Sequence, residues 1–209
     1  MRSVLLISIF AILLFSTTVS AMDAGIHLLI SVPLEEMAEV SKTGMGLGGK
    51  FFHSFESLPW LSLRGDLAYL SYDSKQQLVY FAGYLTYQTT RTEGFQLSLG
   101  PQFKYESGSF QTYFSPMIGF QYFQTVISLP EAAYYGYYAT DTRDTYGVLG
   151  WSVSSGVLFD IGLGPWIDVG LKYNYLYDGV RQKVDEVTTK SDGSDLTITL
   201  GVVFFREVQ

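Results

Sequence analysis

The chain has no cysteine, only two histidines (His27 and His53) and six prolines in 209 residues, and charged residues make up 16% of it. Without cysteine there is no disulfide, no thiolate metal site and no thiol to carry a lipid. Two histidines leave little from which to build a base-assisted nucleophile. Beyond residue 21 no apolar run is long enough for a transmembrane helix, which removes the helical membrane class. Positive charge is scarce as well: 13 Lys and Arg face 20 Asp and Glu, a net charge of -7 that does not suit nucleic acid.

What is present begins with a leader. Met1 and Arg2 precede an uncharged apolar run from Val4 to Phe15, followed by Ser16, Thr17, Thr18 and the small-residue triplet Val19, Ser20, Ala21. This reads as a signal peptide over residues 1–21, because the run is too short to span a bilayer. Cleavage after Ala21 removes Arg2 and no acid, leaving net charge -8 on a single domain over 22–209.

The domain alternates. Ile26, Leu28, Ile30 and Val32 oppose His27, Leu29 and Ser31, and Phe95, Leu97, Leu99, Phe103 and Tyr105 oppose Gln96, Ser98, Gly100, Gln102 and Lys104. The closing stretch sets Leu196, Ile198, Leu200, Val202 and Phe204 against Thr197, Thr199, Gly201 and Val203. Such period-two patterning bounded by Gly, Pro, Ser and Asp is the signal of strands, and eight segments show it. Connections at 54–59, 106–108 and 162–164 are short, whereas those at 33–42, 73–92, 126–144 and 179–193 are long. Residues 77–88 read as a hairpin rising above the membrane, since a ninth span would break that alternation. The pattern predicts an all-β fold: an eight-stranded antiparallel up-and-down transmembrane β-barrel with short periplasmic turns and long extracellular loops.

Polar-face composition decides which face is wet. A water-soluble barrel would carry many Lys and Glu outside, but these faces hold mostly Gly, Ser, Thr and Gln, as a crowded interior requires. Their charges balance: Lys50, Arg64, Lys104 and Lys172 face the same way as Asp66, Asp160, Asp168 and Asp195. Eight strands leave an interior just wide enough for side chains, so a compensating charge network and a plugged lumen are expected. The last strand presents Leu196 to Phe204 to lipid. Phe51, Tyr69, Tyr105, Tyr122, Trp151, Tyr173, Tyr175 and Phe204 lie toward strand ends as interfacial girdles. Pro101 and Pro116 are expected at bulges or strand ends, because proline cannot donate to a ladder.

On the stretches "GMGLGGKFF", "LSLRGDLAYLSY" and "GWSVSSGVLFDIGLGPWIDVGLKYNYL" the chain resembles the small outer-membrane β-barrel domain family, the OmpA and OmpX type, over residues 24–206. The resemblance implies a bacterial outer-membrane location, contact with outer-membrane lipids, insertion by the barrel-assembly machinery and a monomeric barrel. Such chains end in an assembly signal whose first three fixed positions match Thr199, Gly201 and Phe204, while Arg206 replaces the final aromatic. Some relatives act on lipid A through His and Ser. Here His27 projects into the lumen, and His53 and Ser54, being adjacent in a strand, point apart. No catalytic residue, cofactor or metal site is assigned: Asp141, Asp144, Asp185, Glu186, Asp192 and Asp195 match no calcium loop. Tyr134, Tyr135, Tyr137 and Tyr138 in "AAYYGYYATD" suit either an interfacial girdle or extracellular ligand recognition. The expected role is structural or surface-interacting, with a narrow solute-transport barrel and a lipid-modifying enzyme as the alternatives.

Overall fold

A computed structural model describes residues 23–55, 57–81, 84–128, 142–162, 164–184 and 187–205. The leader, Arg206 and the four loop tyrosines lie outside the described residues. The alternating segments form β1 (Asp23–Leu34), β2 (Gly44–Phe55), β3 (Leu58–Phe81), β4 (Tyr84–Ser107), β5 (Phe110–Ser128), β6 (Thr142–Asp160), β7 (Trp166–Val184) and β8 (Val187–Phe204), with one short helix, α1 (Glu35–Val40), after β1. Each strand pairs antiparallel with the next, and β8 returns to β1, closing the barrel. The closing seam runs in unbroken register from Ala24↔Phe204 to Leu34↔Ser194.

The wall is inside-out relative to a protein folded in water. Ile118 is 74% exposed, Ile26 67% and Leu200 53%, whereas Arg64, Asp195 and Ser31 are 0% exposed. Alternation puts apolar side chains outward and polar ones inward along the wall. Only an apolar solvent makes that arrangement favourable.

At the long-hairpin end the strands continue further than their apolar alternation. β3 and β4 are 24 residues each and remain paired past a bulge at Tyr72/Lys75 as far as Phe81↔Tyr84. Residues 77–88 therefore extend the β3–β4 hairpin, and the strand count stays at eight. Pairing of β5 with β6 reaches Ile127↔Thr142, and β7–β8 pairing reaches Val184↔Val187. Most of 179–193, expected as loop, is thus paired strand. Beyond the apolar belt no alternation is demanded, and β-branched Val180, Val184, Thr188 and Thr189 still favour extended backbone.

The first long connection contains α1, which the sequence pattern leaves as loop. Leu34, Met37 and Val40 recur every third residue, and the helix closes with the Ser41 amide donating to the Met37 carbonyl at 2.9 Å. Met37, 3% exposed, joins an inward cluster with Leu29, Leu70, Tyr72, Phe123 and Leu176. The helix thereby lies over that end of the lumen.

Pro101 and Pro116 mark neither a bulge nor a strand end. The β4–β5 ladder stops at Leu99↔Ile118 and resumes at Phe103↔Phe114 in the same register, which sets the two prolines opposite each other in mid-wall. Two missing amide protons at one position leave nothing for the ladder to exchange. Ser115 Oγ donates to the Pro101 carbonyl at 2.7 Å instead. The chains approach closely here: a Cβ on Gly100 would lie 2.1 Å from the Pro116 carbonyl oxygen.

The wall assignment makes a direct prediction. Leu200→Lys places a charge in the apolar belt and should destabilise the lipid-folded protein by about 2 to 4 kcal/mol, whereas Thr199→Ser should change little. Urea unfolding in lipid vesicles measures both, and an unaltered Leu200→Lys midpoint would reverse the faces.

Candidate functional site

The lumen carries the chemistry, and β-alternation aims each of its groups. Arg64 and Asp66 are two apart on β3 and so share the inward face; Nε and Nη2 of the guanidinium donate to the two carboxylate oxygens at 2.7 and 2.9 Å. From across the barrel Lys172 on β7 donates to Asp66 Oδ2 at 3.4 Å and to Ser98 Oγ at 3.1 Å. Arg64 Nη1 also donates to Gln102 Oε1 at 3.3 Å.

A second ion pair lies toward the short turns. Lys50 on β2 donates to Asp168 on β7 and, at 3.3 and 3.4 Å, to Tyr113 Oη and Thr199 Oγ1. Tyr113 Oη in turn donates to Asp168 Oδ1 at 2.9 Å. The Arg64 guanidinium stands 5.1 Å from the Tyr113 ring centre, within cation–π range, so the two ion pairs are coupled through one aromatic side chain.

Asp195 is held differently. No cation among the described residues touches it; Ser31, Asn174 and Thr197 donate to its Oδ1 at 3.1, 2.8 and 2.8 Å. Gln96 Nε2 extends this set by donating to Asn174 Oδ1 at 2.7 Å. Three cations (Lys50, Arg64, Lys172) and three carboxylates (Asp66, Asp168, Asp195) are therefore buried among the described residues. Apolar layers lie on both sides of them. Phe52, Tyr113, Leu158 and Val203 cluster toward the short turns, and the Met37 cluster lies beyond the polar layer at the other end.

Two members of the expected network stand apart from it. Lys104 is half-buried near the short-turn rim and donates to Ser54 Oγ at 3.0 Å. Asp160 is exposed and accepts the Gly162 amide at 2.8 Å, fixing the β6–β7 turn. Both have inward parity but stand toward the short-turn rim: Asp160 is on the last rung of the β6–β7 ladder, and Lys104 lies one residue past Leu61↔Phe103, where β3–β4 pairing ends. Sequence reasoning also missed the partners of the network. Gln96, Gln102, Asn174 and Thr197 were legible as inward polar residues, yet nothing in the sequence shows which would meet across the lumen.

His27 is 4% exposed and sits between Gly48 and Gly201 on its neighbouring strands. A Cβ on Gly201 would fall 2.4 Å from His27 Cβ, so the glycine is required by the close approach of that side chain. Thr199 likewise has a local partner in Lys50, while Phe204 faces outward. His53 is exposed and lies edge-on to Phe55, whereas Ser54 contacts Lys104. Among the described residues no group of three or more His, Asp or Glu could hold a metal ion. Outside, Trp151 stacks on Tyr175, and Trp60 stacks on Phe103 near the opposite rim.

No protein-family model matches the chain, and no curated protein does. Solved structures do. Neisserial surface protein A aligns over 90% of this chain and 98% of its own, with TM-score 0.53 at 13% identity. A major outer membrane protein from Thermus thermophilus aligns over 88% and 99%, with TM-score 0.59 at 12% identity. Ail, the attachment invasion locus protein of Yersinia pestis, aligns over 88% and 97%, with TM-score 0.50 at 14% identity. The fold is that of a small outer-membrane β-barrel. On that fold the short turns correspond to the periplasmic end and the long hairpins to the extracellular end.

The shared carboxylate of this barrel predicts unequal losses. Asp66→Ala strands two buried cations and should cost about 3 to 5 kcal/mol, whereas the paired replacement Lys50→Met with Asp168→Leu should cost less than Lys50→Met alone. Unfolding of wild type and these variants, with Asp168→Leu alone, in the same lipid tests this, and additive losses at Lys50 and Asp168 would contradict the pairing.

Proposed function

We propose that the chain is a bacterial outer-membrane barrel with a closed polar lumen, acting as a structural or surface-interacting protein and not as a channel or an enzyme. The observation that carries this reading is the lumen: Lys50, Arg64 and Lys172 are bonded to Asp66 and Asp168, and Asp195 to Ser31, Asn174 and Thr197, in a layer bounded by apolar side chains on both sides. An ion entering that layer would have to displace bonded partners, since the interior of an eight-stranded barrel is filled by its own side chains. A location in the outer membrane is supported by the apolar outer wall and by the fold shared with known outer-membrane proteins.

Planar bilayers test the closed lumen. The folded wild-type barrel should give no reproducible single-channel steps, and steps of constant size would replace this reading with the narrow transport barrel. Heat-modifiable gel migration of the outer-membrane fraction tests the location, since a folded barrel migrates faster before boiling than after.

Absence of catalysis is supported by the two histidines. His27 is enclosed by the wall, and His53 lies beside Phe55, so neither aligns with a serine as an activated nucleophile requires. Lipid A from cells making the wild type should match lipid A from cells making His27→Ala. A modification present in the first and missing from the second would identify an enzyme.

A further inference from the structure

On the outer wall two arginines fall on one lateral row. Arg91 of β4 pairs with Val126 of β5, and Val126 pairs with Arg143 of β6. Parity sets all three outward, because Thr92, Phe123 and Tyr146 mark the inward positions of the same strands. Neighbouring strands stand about 4.8 Å apart, so the two arginine backbones are about 10 Å from each other. One phosphorylated headgroup fits between them.

The row lies four residues beyond the level of Phe95 and Tyr122, which corresponds to about 13 Å of strand and about 10 Å of height in a wall tilted by about 40°. An arginine reaching back toward the bilayer from there overhangs the headgroup layer. Between the aromatics and the arginines the outer face carries Glu93, Gln124 and Thr145, which pair in sequence across the same three strands. The sector is polar and rich in hydrogen-bonding groups.

Neither arginine is accounted for by its own surroundings. Arg143 is exposed and has no ion-pair partner among the described residues. Arg91 meets Glu93 at 2.9 Å but remains 61% exposed in its side chain; an open pair of that kind contributes little and leaves most guanidinium donors unused. Cations often protect a free sheet edge, but Arg91 stands on a strand flanked at that level by β3 and β5, through Lys75↔Thr90 and Arg91↔Val126. The row is not a by-product of a basic composition either, since the chain is net acidic. Elsewhere at the long-hairpin rim the exposed residues include Glu35, Glu36 and Asp192.

We propose that Arg91 and Arg143 form a binding row for the phosphates of an outer-leaflet glycolipid of the lipid A type, seated against β4, β5 and β6. The inference rests on the outer-membrane reading above. Guanidinium groups engage phosphate by paired, charge-assisted hydrogen bonds, and two of them at this spacing hold a bisphosphorylated headgroup better than a singly charged one.

Wild type, the double variant Arg91→Gln/Arg143→Gln and the control Lys42→Gln are folded into phosphatidylcholine vesicles. Bisphosphorylated or dephosphorylated lipid A is then titrated in, with inorganic phosphate as a free-ion competitor, and lipid retained per barrel is measured by native mass spectrometry. The double variant should bind bisphosphorylated lipid A on the order of tenfold more weakly than wild type, with Lys42→Gln unchanged and free phosphate unable to displace the lipid. Equal affinity in wild type and double variant, an equal loss in Lys42→Gln, or no preference for the phosphorylated lipid would overturn the proposal. Displacement by free phosphate would overturn its assignment to lipid. Heat-modifiable migration of the same samples separates the two readings: a wild type that does not fold in the vesicles defeats the membrane-barrel reading, whereas a folded barrel indifferent to the arginines defeats only this one.

Discussion

In an eight-stranded barrel a charge turned inward is costly unless other side chains of the lumen bond to it. The rest of the structure is arranged around that requirement. Asp66 meets Arg64 from its own strand and Lys172 from the opposite wall; Asp168 meets Lys50; Asn174 joins Gln96 to Asp195. Lys172, Asp168 and Asn174 all lie on β7, so this single strand is tied across the lumen to β2, β3 and β4. Ladder hydrogen bonds hold neighbours together around the ring, and these contacts hold opposite walls at a fixed separation.

A large side chain turned inward also dictates where the wall must lack side chains. Tyr113 reaches into the centre to bond Asp168, and its hydroxyl would lie 2.4 Å from a Cβ on Gly156 and 2.3 Å from one on Gly170. Those two strand glycines leave room for the ring. The opposed prolines show the reverse case. At Pro101 and Pro116 the ladder itself is interrupted, yet the register on either side is unchanged, because β3 and β6 still pair with these strands through Leu63↔Pro101 and Pro116↔Val153. Closure of the ring lets a local gap persist without a slip.

Sequence alone carried the architecture for a physical reason: a membrane barrel sets lipid against one face and a polar interior against the other, and strand periodicity prints that contrast residue by residue. The outward placement of Leu196 to Phe204 and the inward placement of Lys50, Arg64, Asp66, Asp168, Lys172 and Asp195 were legible in this way. Alternation encodes a face but no height, so it cannot separate Lys104 and Asp160 from the residues buried further along the barrel. It also encodes no partner across the lumen, so the sharing of Asp66 by two cations could not be read. Where that contrast ends the signal weakens: residues 77–88 still read as a hairpin, whereas the paired extension of β7–β8 within 179–193 reads as loop. The helix over the mouth was hidden in a six-residue segment too short to show a convincing 3.6-residue period.

The same contrast explains how the fold is shared with proteins only 12 to 14% identical to this one. Lipid asks the outer face merely to be apolar, so Leu, Ile, Val and Phe can replace one another there with little penalty. The lumen is more demanding, since replacing one partner of a buried ion pair strands the other. Its residues can therefore change only as sets. Two barrels can keep the same wall while filling it with unrelated networks, and a likeness in fold then carries no statement about lumen chemistry. What distinguishes this chain must be sought in residues that the wall does not require: the β7-centred charge layer inside and the Arg91–Arg143 row outside.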